Sequence, residues 1–282
     1  MKNRNKLVQP VLKWAGGKRQ LLPEIEKYIP NLNEIKSYYE PFLGGGAVLF
    51  NLQPKKAIVN DTNTDLINLY EVIKEDVDEL IEDLKKHKNN KDYFYELRAL
   101  DRTEKYKELS NIERASRIIY LNKTCFNGLF RVNKSGEFNV PFGNYKNPNI
   151  VNEITLKAVS KYLNQAKIKF LNCDFEEALK GIRKGSYVYF DPPYDPVSDS
   201  SSFTGYTLDG FNKSDQIRLK KLCDKLNNKG VKFLLSNSAT DFIIDLYNEN
   251  KDFKIEIVSA TRNINADAHK RGEINEVLIR NY

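Results

Sequence analysis

Four consecutive residues, Asp191-Pro192-Pro193-Tyr194, hold the densest chemistry in the chain. They stand directly after the apolar and aromatic run SYVYF, Ser186 to Phe190. Proline has no N–H to give to a ladder, so a strand stops there and sets the Asp191 carboxylate at its end. The prolines also restrict the backbone, which fixes the directions of the carbonyls that follow the acid. A fixed carboxylate and a fixed carbonyl can accept both protons of a planar amino group, while Tyr194 offers a flat face to the ring that bears it. The reactant that fits is an amino-substituted heterocycle such as adenine. Taken singly, Asp191 is also an ordinary strand-terminal acid and Pro-Pro an ordinary breaker.

Two further strand ends carry chemistry. In PFLGGGAVLF the glycines Gly44-Gly45-Gly46 lie between a short strand and an apolar helix. Glycine there lets a ligand approach the backbone closely, and a helix start adds a favourable dipole. The spacing does not complete GxGxxG, so a dinucleotide fingerprint is not met. AIVND, Ala57 to Asp61, ends on a carboxylate able to accept hydrogen bonds from both hydroxyls of a ribose. A tight turn and a helix-capping acid explain each feature alone; in this order they point to an adenosine-containing cofactor.

These ends need a sheet to bring them together. SYYEPF, AIVND, KIKFLNC, SYVYFD, VKFLLSN, IEIVSAT and EVLIRNY give seven strands. QIRLKKLCDKL and DFIIDLY are helical between the later ones. Alternation of this kind predicts an α/β, Rossmann-like fold with a mostly parallel sheet and ligands at the carboxyl strand ends. No helix separates the last two strands, so the final one is expected to run antiparallel. From a stripe beginning near Asp65 (Leu66, Ile67, Leu69, Tyr70, Ile73) to about Gln165 the chain reads helical and charged, as an insertion after the second strand. Within it, FNGLFRVNKSGEFNVPFGNY predicts a β-hairpin: Phe130, Val132, Phe138 and Val140 on an apolar face, Arg131, Asn133 and Asn139 on the other, and Lys134-Ser135-Gly136 at the turn. The expected division is 1–64 with 166–282 as the catalytic part and 65–165 as the insertion. A hairpin that merely covers a core is the plainer alternative.

With 282 residues, 40% of them hydrophobic, the chain can bury a large core. A formal net charge of +7 permits nucleic acid as partner without requiring it. Three scattered cysteines and only two histidines, His87 and His269, argue against a disulfide framework and a zinc site, and the chemistry above calls for no metal. The opening MKNRNKLVQP lacks the apolar run of a signal peptide, and no segment reaches membrane-spanning length. The expectation is a soluble cytoplasmic chain.

FLGGG, then Asp61, then DPPY resemble the motifs of adenine-specific DNA methyltransferases. LKWAGGKRQLLP, YLNKTCFNGLFRVNKSGEFNVPFGNYKNP and SSFTGYT make nearly the whole chain similar to the Dam family. That resemblance implies a methyltransferase that uses S-adenosylmethionine, releases S-adenosylhomocysteine, and methylates the exocyclic amino nitrogen of adenine in double-stranded DNA, usually in GATC. It implies a cofactor site at Trp14, Ala15, Gly16, Lys18, Glu40, Phe42, Gly44, Gly46, Asp61, Asp174 and Asp191. It makes Asp191, Pro192 and Tyr194 catalytic and the insertion a target-recognition domain. DNA contacts are implied at Phe126, Asn127, Leu129, Arg131, Asn133, Pro141, Asn144, Tyr145, Lys270 and Arg271, with Lys270 and Arg271 on phosphates. Asn144 stands where some relatives carry a basic residue. A cognate restriction endonuclease is a further implied partner.

Competing readings are an amino-group methyltransferase acting on RNA or protein, a longer recognition site, a nicotinamide-dependent oxidoreductase, and a non-catalytic DNA-binding relic. Protein-glutamine enzymes typically carry Asn in place of Asp191 and have no use for the hairpin. The incomplete GxGxxG counts against the oxidoreductase, and the intact Trp14, Lys18, Asp61 and Asp191 against the relic.

Overall fold

The computed structural model describes residues 4–14, 16–18, 20–133, 135–197, 210–261 and 273–282. Ala15, the turn residue Lys134, SSFTGYT, His269, Lys270 and Arg271 lie outside the described residues. The strands are β1 Ser37–Glu40, β2 Lys56–Asn60, β3 Lys167–Leu171, β4 Ser186–Phe190, β5 Lys232–Ser238, β6 Lys254–Thr261 and β7 Glu273–Arg280, in the sheet order β3-β2-β1-β4-β5-β7-β6. All neighbours are parallel except where β7 enters between β5 and β6, antiparallel to both.

Chain direction across the sheet reverses at β1: β2 lies on one side and β4 on the other. Ligands of such sheets bind outside the carboxyl ends at this switch point. The glycine turn follows β1, Asp61 follows β2 and Asp191 follows β4, so the three marked strand ends stand side by side.

The helices are α1 Leu22–Tyr28, α2 Ala47–Leu52, α3 Thr64–Glu75, α4 Val77–Leu84, α5 Lys91–Ala99, α6 Lys105–Glu108, α7 Asn111–Thr124, α8 Glu153–Gln165, α9 Phe175–Ala178, α10 Lys213–Asn228 and α11 Asp241–Asn248, with 3-10 turns at Leu100–Arg102 and Phe126–Gly128. Among the described residues no helix is long and apolar enough to cross a membrane. β4 is buried at every position, as expected for a strand covered on both faces.

Alternation sorts its side chains into two cores. Tyr187 and Tyr189 join Tyr38 and Leu234 on the face covered by α3, α7 and α8. Val188 and Phe190 join Tyr39, Phe233 and Leu235 on the face covered by α10 and α11. Each such ring or aliphatic chain contributes about 1.5–3 kcal/mol on burial. The first core runs without a break from the sheet to Phe94, Phe130 and Phe138, so the hairpin is packed onto the same mass that supports the strand ends.

The hairpin forms with the expected sidedness. Phe130, Phe138 and Val140 are buried, while Arg131 is exposed. It is held by the bridges Val132↔Phe138 and Cys125↔Phe142 rather than by a continuous ladder. Asn133 N–H donates to the Glu137 carbonyl (2.8 Å) and Asn139 N–H to the Arg131 carbonyl (3.0 Å).

Candidate active site

The turn after β1 needs its glycines. Gly44 and Gly46 have φ of 48° and 69°, in the left-handed region. The ring of Trp14 lies on the turn: a Cβ at Gly44 would stand 3.1 Å from both Cδ1 and Nε1 of the indole. Both oxygens of Asp61 brace this turn and the next loop, Oδ2 accepting from Gly44 N–H and Oδ1 from Asn63 N–H, each at 2.9 Å. Asn63, not Asp61, caps α3, accepting from Leu66 N–H (3.0 Å), so helix capping does not account for the acid. Burial pushes the Asp61 carboxyl above its ordinary range, and the N–H groups of Asn63, Gly44 and Thr62 pull it back. Each oxygen retains acceptor capacity for a further donor.

Beyond β3, Asp174 caps α9 and pairs with Arg218 (3.0 Å). Phe42 meets Phe175 and Phe211 with ring centroids 5.4 and 5.7 Å away. This aromatic group follows the same set of strand ends as the Asp61 carboxylate and the glycine turn.

Glu40, at the end of β1, is buried and accepts from the Tyr38 hydroxyl (2.8 Å). Desolvation holds its carboxyl well above the usual range, with nearby Asp191 pushing in the same direction. The native state therefore retains a proton that the unfolded chain has already lost, so stability falls as pH rises past the ordinary carboxylate range. Glu40→Gln is expected to gain on the native protein in melting temperature as pH is raised from about 5 to 8, the window above an unperturbed glutamate. A difference in melting temperature that does not change with pH refutes this.

After β4, the Asp191 carboxylate meets a cation at once. Lys18 Nζ is 2.8 Å from Asp191 Oδ1, donates to the Gly16 carbonyl (2.8 Å) and stands 4.4 Å from the centre of the Tyr194 ring. Ser236, from β5, donates to the same Asp191 oxygen (3.1 Å) and bonds the Tyr189 hydroxyl (3.0 Å). Burial raises the Asp191 carboxyl above its ordinary range, opposed by Lys18 and Ser236 and reinforced by Glu276. The ammonium thus lies between the acid and the ring. Lys18, which the family resemblance puts among the cofactor residues, stands here against the acid.

The backbone of the turn is fixed from behind. Buried Gln216 donates to the Pro193 carbonyl (3.0 Å), Asp195 N–H donates to Asn237 Oδ1 (3.0 Å), and Ser238 Oγ donates to the Asp195 carbonyl. The Tyr194 hydroxyl donates to Glu276 Oε2 (2.7 Å). Sequence reasoning missed Ser236, Gln216, Asn237 and Glu276. Glu276 reaches the site because β7 runs antiparallel, which brings its early residues to the edge where the parallel strands end; the lack of a helical pattern in the sequence before the last strand was the available signal.

The hairpin borders this crevice. Trp14 stacks on Phe130 with centroids 4.6 Å apart and planes 18° off parallel, and such a pair contributes about 0.5–1.5 kcal/mol beyond burial. Asn122 of α7 bonds the backbone N–H and carbonyl of Lys13 (2.9 and 2.8 Å) and the Gly128 carbonyl (3.0 Å), tying the segment before Trp14 to the hairpin's entry.

Phe126 and Tyr145 are exposed on neighbouring segments joined by the bond from Phe126 N–H to the Pro141 carbonyl (2.8 Å). Asn127 and Asn144 adopt left-handed backbone with φ of 57°. Leu129 is half-buried, its carbonyl taken by the Cys125 thiol, and Pro141 is exposed. Arg131 is held by Asn139 Oδ1 (2.7 Å), and Asn133 donates to Glu137 (2.6 Å).

A seven-stranded sheet with its last strand antiparallel and an acid–proline–proline–tyrosine turn at the switch point is consistent with the methyltransferase fold expected from the sequence. Residues 14–264 match the model of the D12 class N6 adenine-specific DNA methyltransferase family, and the chain belongs to that family. It is 48% identical over 293 aligned residues to the type II methyltransferase M.MjaIII of Methanocaldococcus jannaschii, covering 98% of this chain and 99% of that protein. It is 45% identical over 282 residues to the type II methyltransferase M1.LlaDCHI of Lactococcus lactis subsp. cremoris, covering 99% and 98%. To the DNA adenine methylase of Haemophilus influenzae it is 36% identical over 276 residues, covering 96% and 92%. The chain is thus an adenine-specific DNA methyltransferase acting at N6.

Proposed function

We propose that this enzyme takes its methyl group from S-adenosylmethionine and methylates adenine in GATC, on a base rotated out of the duplex into the pocket between Asp191 and Tyr194. The observation that supports this best is the placement of Asp61, the Gly44 turn and Asp191 on three adjacent strand ends at the switch point. Asp61 would hold the ribose, and the Phe42, Phe175 and Phe211 group would border the cofactor's adenine. When bound, S-adenosylmethionine supplies an electrophilic methyl group.

The chain's own residues then act on the target amino group. Adenine's amino nitrogen donates its lone pair into the ring and is a poor nucleophile. Hydrogen bonds from its two protons to Asp191 and the Pro192 carbonyl favour a more tetrahedral nitrogen with a localised pair. An aspartate, even with its affinity for protons raised by burial, is far too weak a base to deprotonate an arylamine in the ground state. Asp191 therefore orients the amino group and stabilises positive charge as it develops, with proton loss late. Lys18 has to withdraw from the Tyr194 face before the base stacks there. Rotation out of the duplex costs a few kcal/mol, part of which stacking on Tyr194 returns.

The hairpin within 65–165 would read the major groove, with Phe126 and Asn127 at the opened pair and Pro141, Asn144 and Tyr145 at other bases. Lys270 and Arg271 would contact phosphates. The type II names of two of the relatives above favour a role beside a cognate restriction endonuclease.

Arg131 carries the test. Paired bidentately with guanine, it is worth about 1–3 kcal/mol against a wrong base. Arg131→Ala is expected to slow methylation of GATC oligonucleotides by that amount and to relax discrimination at one base only. Rates on duplexes substituted one base at a time decide it; equal slowing on every sequence would remove Arg131 from base reading.

A further inference from the structure

The second strand of the hairpin, Glu137 to Val140, has its outer edge bonded to side chains instead of to another strand. Asp101 Oδ2 accepts from Phe138 N–H (2.8 Å), and Arg102 Nη2 donates to the Phe138 carbonyl (2.8 Å). One residue pair thereby reproduces the donor and acceptor that a third strand would present. Arg98 donates to the Val140 carbonyl (3.2 Å), and Arg102 Nε lies 3.4 Å from Glu137.

This edge is itself anchored in the core. Asp101 Oδ2 also pairs with Arg117 Nη2 at 2.9 Å, and Asp101 Oδ1 with Arg102 Nη1 at 2.8 Å. The Arg117 side chain is only 6% exposed. It donates to the carbonyls of Leu97 (2.7 Å) and Arg98 (2.9 Å) from the middle of α7. A buried ion pair is costly to desolvate and is poor evidence for stability by itself; its best-attested use is to specify one arrangement over alternatives. Here the arrangement is the register of the hairpin. The bridges and the bonds between 131–133 and 137–139 join the two hairpin strands to each other, whereas Asp101, Arg102 and Arg98 bond the second strand to the helical insertion.

We propose that Asp101, Arg102 and Arg117 are positioning residues for sequence discrimination: they fix the hairpin strand bearing Asn139, the partner of Arg131, at the height from which the hairpin reads DNA. This rests on the hairpin being the reading element. None of the three lies at the Asp191 pocket or the Asp61 turn, so their effect falls on which DNA is methylated and not on cofactor binding. A guanidinium is required at 102 because its planar fork meets Asp101, Glu137 and the Phe138 carbonyl at once, which an ammonium cannot do. A supporting group that lets the reading residues shift by about 1 Å can cost up to ~100-fold in rate on the correct site.

The test compares Arg102→Ala, Arg102→Lys and Asp101→Ala with the intact enzyme. Arg102→Ala is the informative variant should loss of Asp101, which strands Arg117, prevent folding. Methylation rates are measured on the preferred site and its single-base substitutes, together with KM for S-adenosylmethionine and melting temperature. Asn164→Ala, which removes bonds from α8 to the Lys74 and Ser160 carbonyls far from the hairpin, serves as a purely structural control.

The expected result is a loss of about tenfold in the ratio of preferred to substituted rates for Arg102→Ala, with KM for the cofactor unchanged. Arg102→Lys should lie between it and the intact enzyme, and Asn164→Ala should lower melting temperature with the ratio intact. If Arg102→Ala and Asp101→Ala lower melting temperature or overall rate at an unchanged ratio while Arg131→Ala relaxes it, the clamp is structural only and the proposal falls. If Arg131→Ala also leaves the ratio unchanged, the hairpin is not the reader and the premise falls with it.

Discussion

Asp191→Ala is expected to lower methyl transfer to DNA by roughly 10²–10³-fold, the scale on which removal of one preorganised electrostatic partner acts. Affinity for S-adenosylmethionine should remain. The acid lies beside Lys18, Ser236 and Tyr194, at the end of β4, whereas the glycine turn and Asp61 follow β1 and β2. Its loss also leaves the buried Lys18 ammonium without its carboxylate, so Asp191→Asn is the companion variant. The amide keeps one acceptor and the shape of the side chain but not the charge. Single-turnover methylation with a labelled donor, beside calorimetric cofactor binding, separates the two effects. A variant that methylates near the native rate overturns the assignment.

Asp61→Ala acts on the other side of the crevice and with the opposite signature. If Asp61 holds the ribose as a charged acceptor, the loss is about 1.5–3 kcal/mol, roughly ten- to 150-fold in dissociation constant. The structure adds a second reason for a large effect. Both carboxylate oxygens brace backbone N–H groups, one of them in the glycine turn itself, so the alanine variant also releases Gly44. Asp61→Asn divides these contributions: its amide oxygen can serve only one N–H, and its NH2 faces the other donor. At saturating cofactor, the single-turnover rate of either variant should approach the native one. Unchanged calorimetric affinity removes Asp61 from the ribose.

Much of the scaffold was legible because it follows local rules. The strand readings fell within a few residues of the observed ends, since β-branched and aromatic runs halted by glycine, acid or proline leave little choice. The antiparallel β7 was expected because the sequence between the last two strands shows no helical pattern. Its insertion between β5 and β6 was not legible, because which edge a returning strand takes depends on tertiary packing. The positions of Lys18 and Glu276 were hidden for the same reason. A lysine in a glycine-rich segment and a glutamate opening a terminal strand carry no mark of meeting Asp191 and Tyr194 across more than 170 and 80 residues of chain, respectively. Asp101, Arg102 and Arg117 fall in the stretch that reads from the sequence only as helical and charged. Only the fold shows that they take over the work of a missing strand.

The chain has a single tryptophan, and its ring lies on the glycine turn on one side and on Phe130 on the other. Emission excited selectively in the indole therefore originates from one address, wedged between the glycine turn after β1 and the root of the hairpin. The protein carries its own optical reporter between the glycine turn and the hairpin. If the cofactor fills the crevice and the hairpin meets DNA as proposed, lifetime and anisotropy recorded there would follow both events in the unlabelled enzyme, without a dye or an added residue.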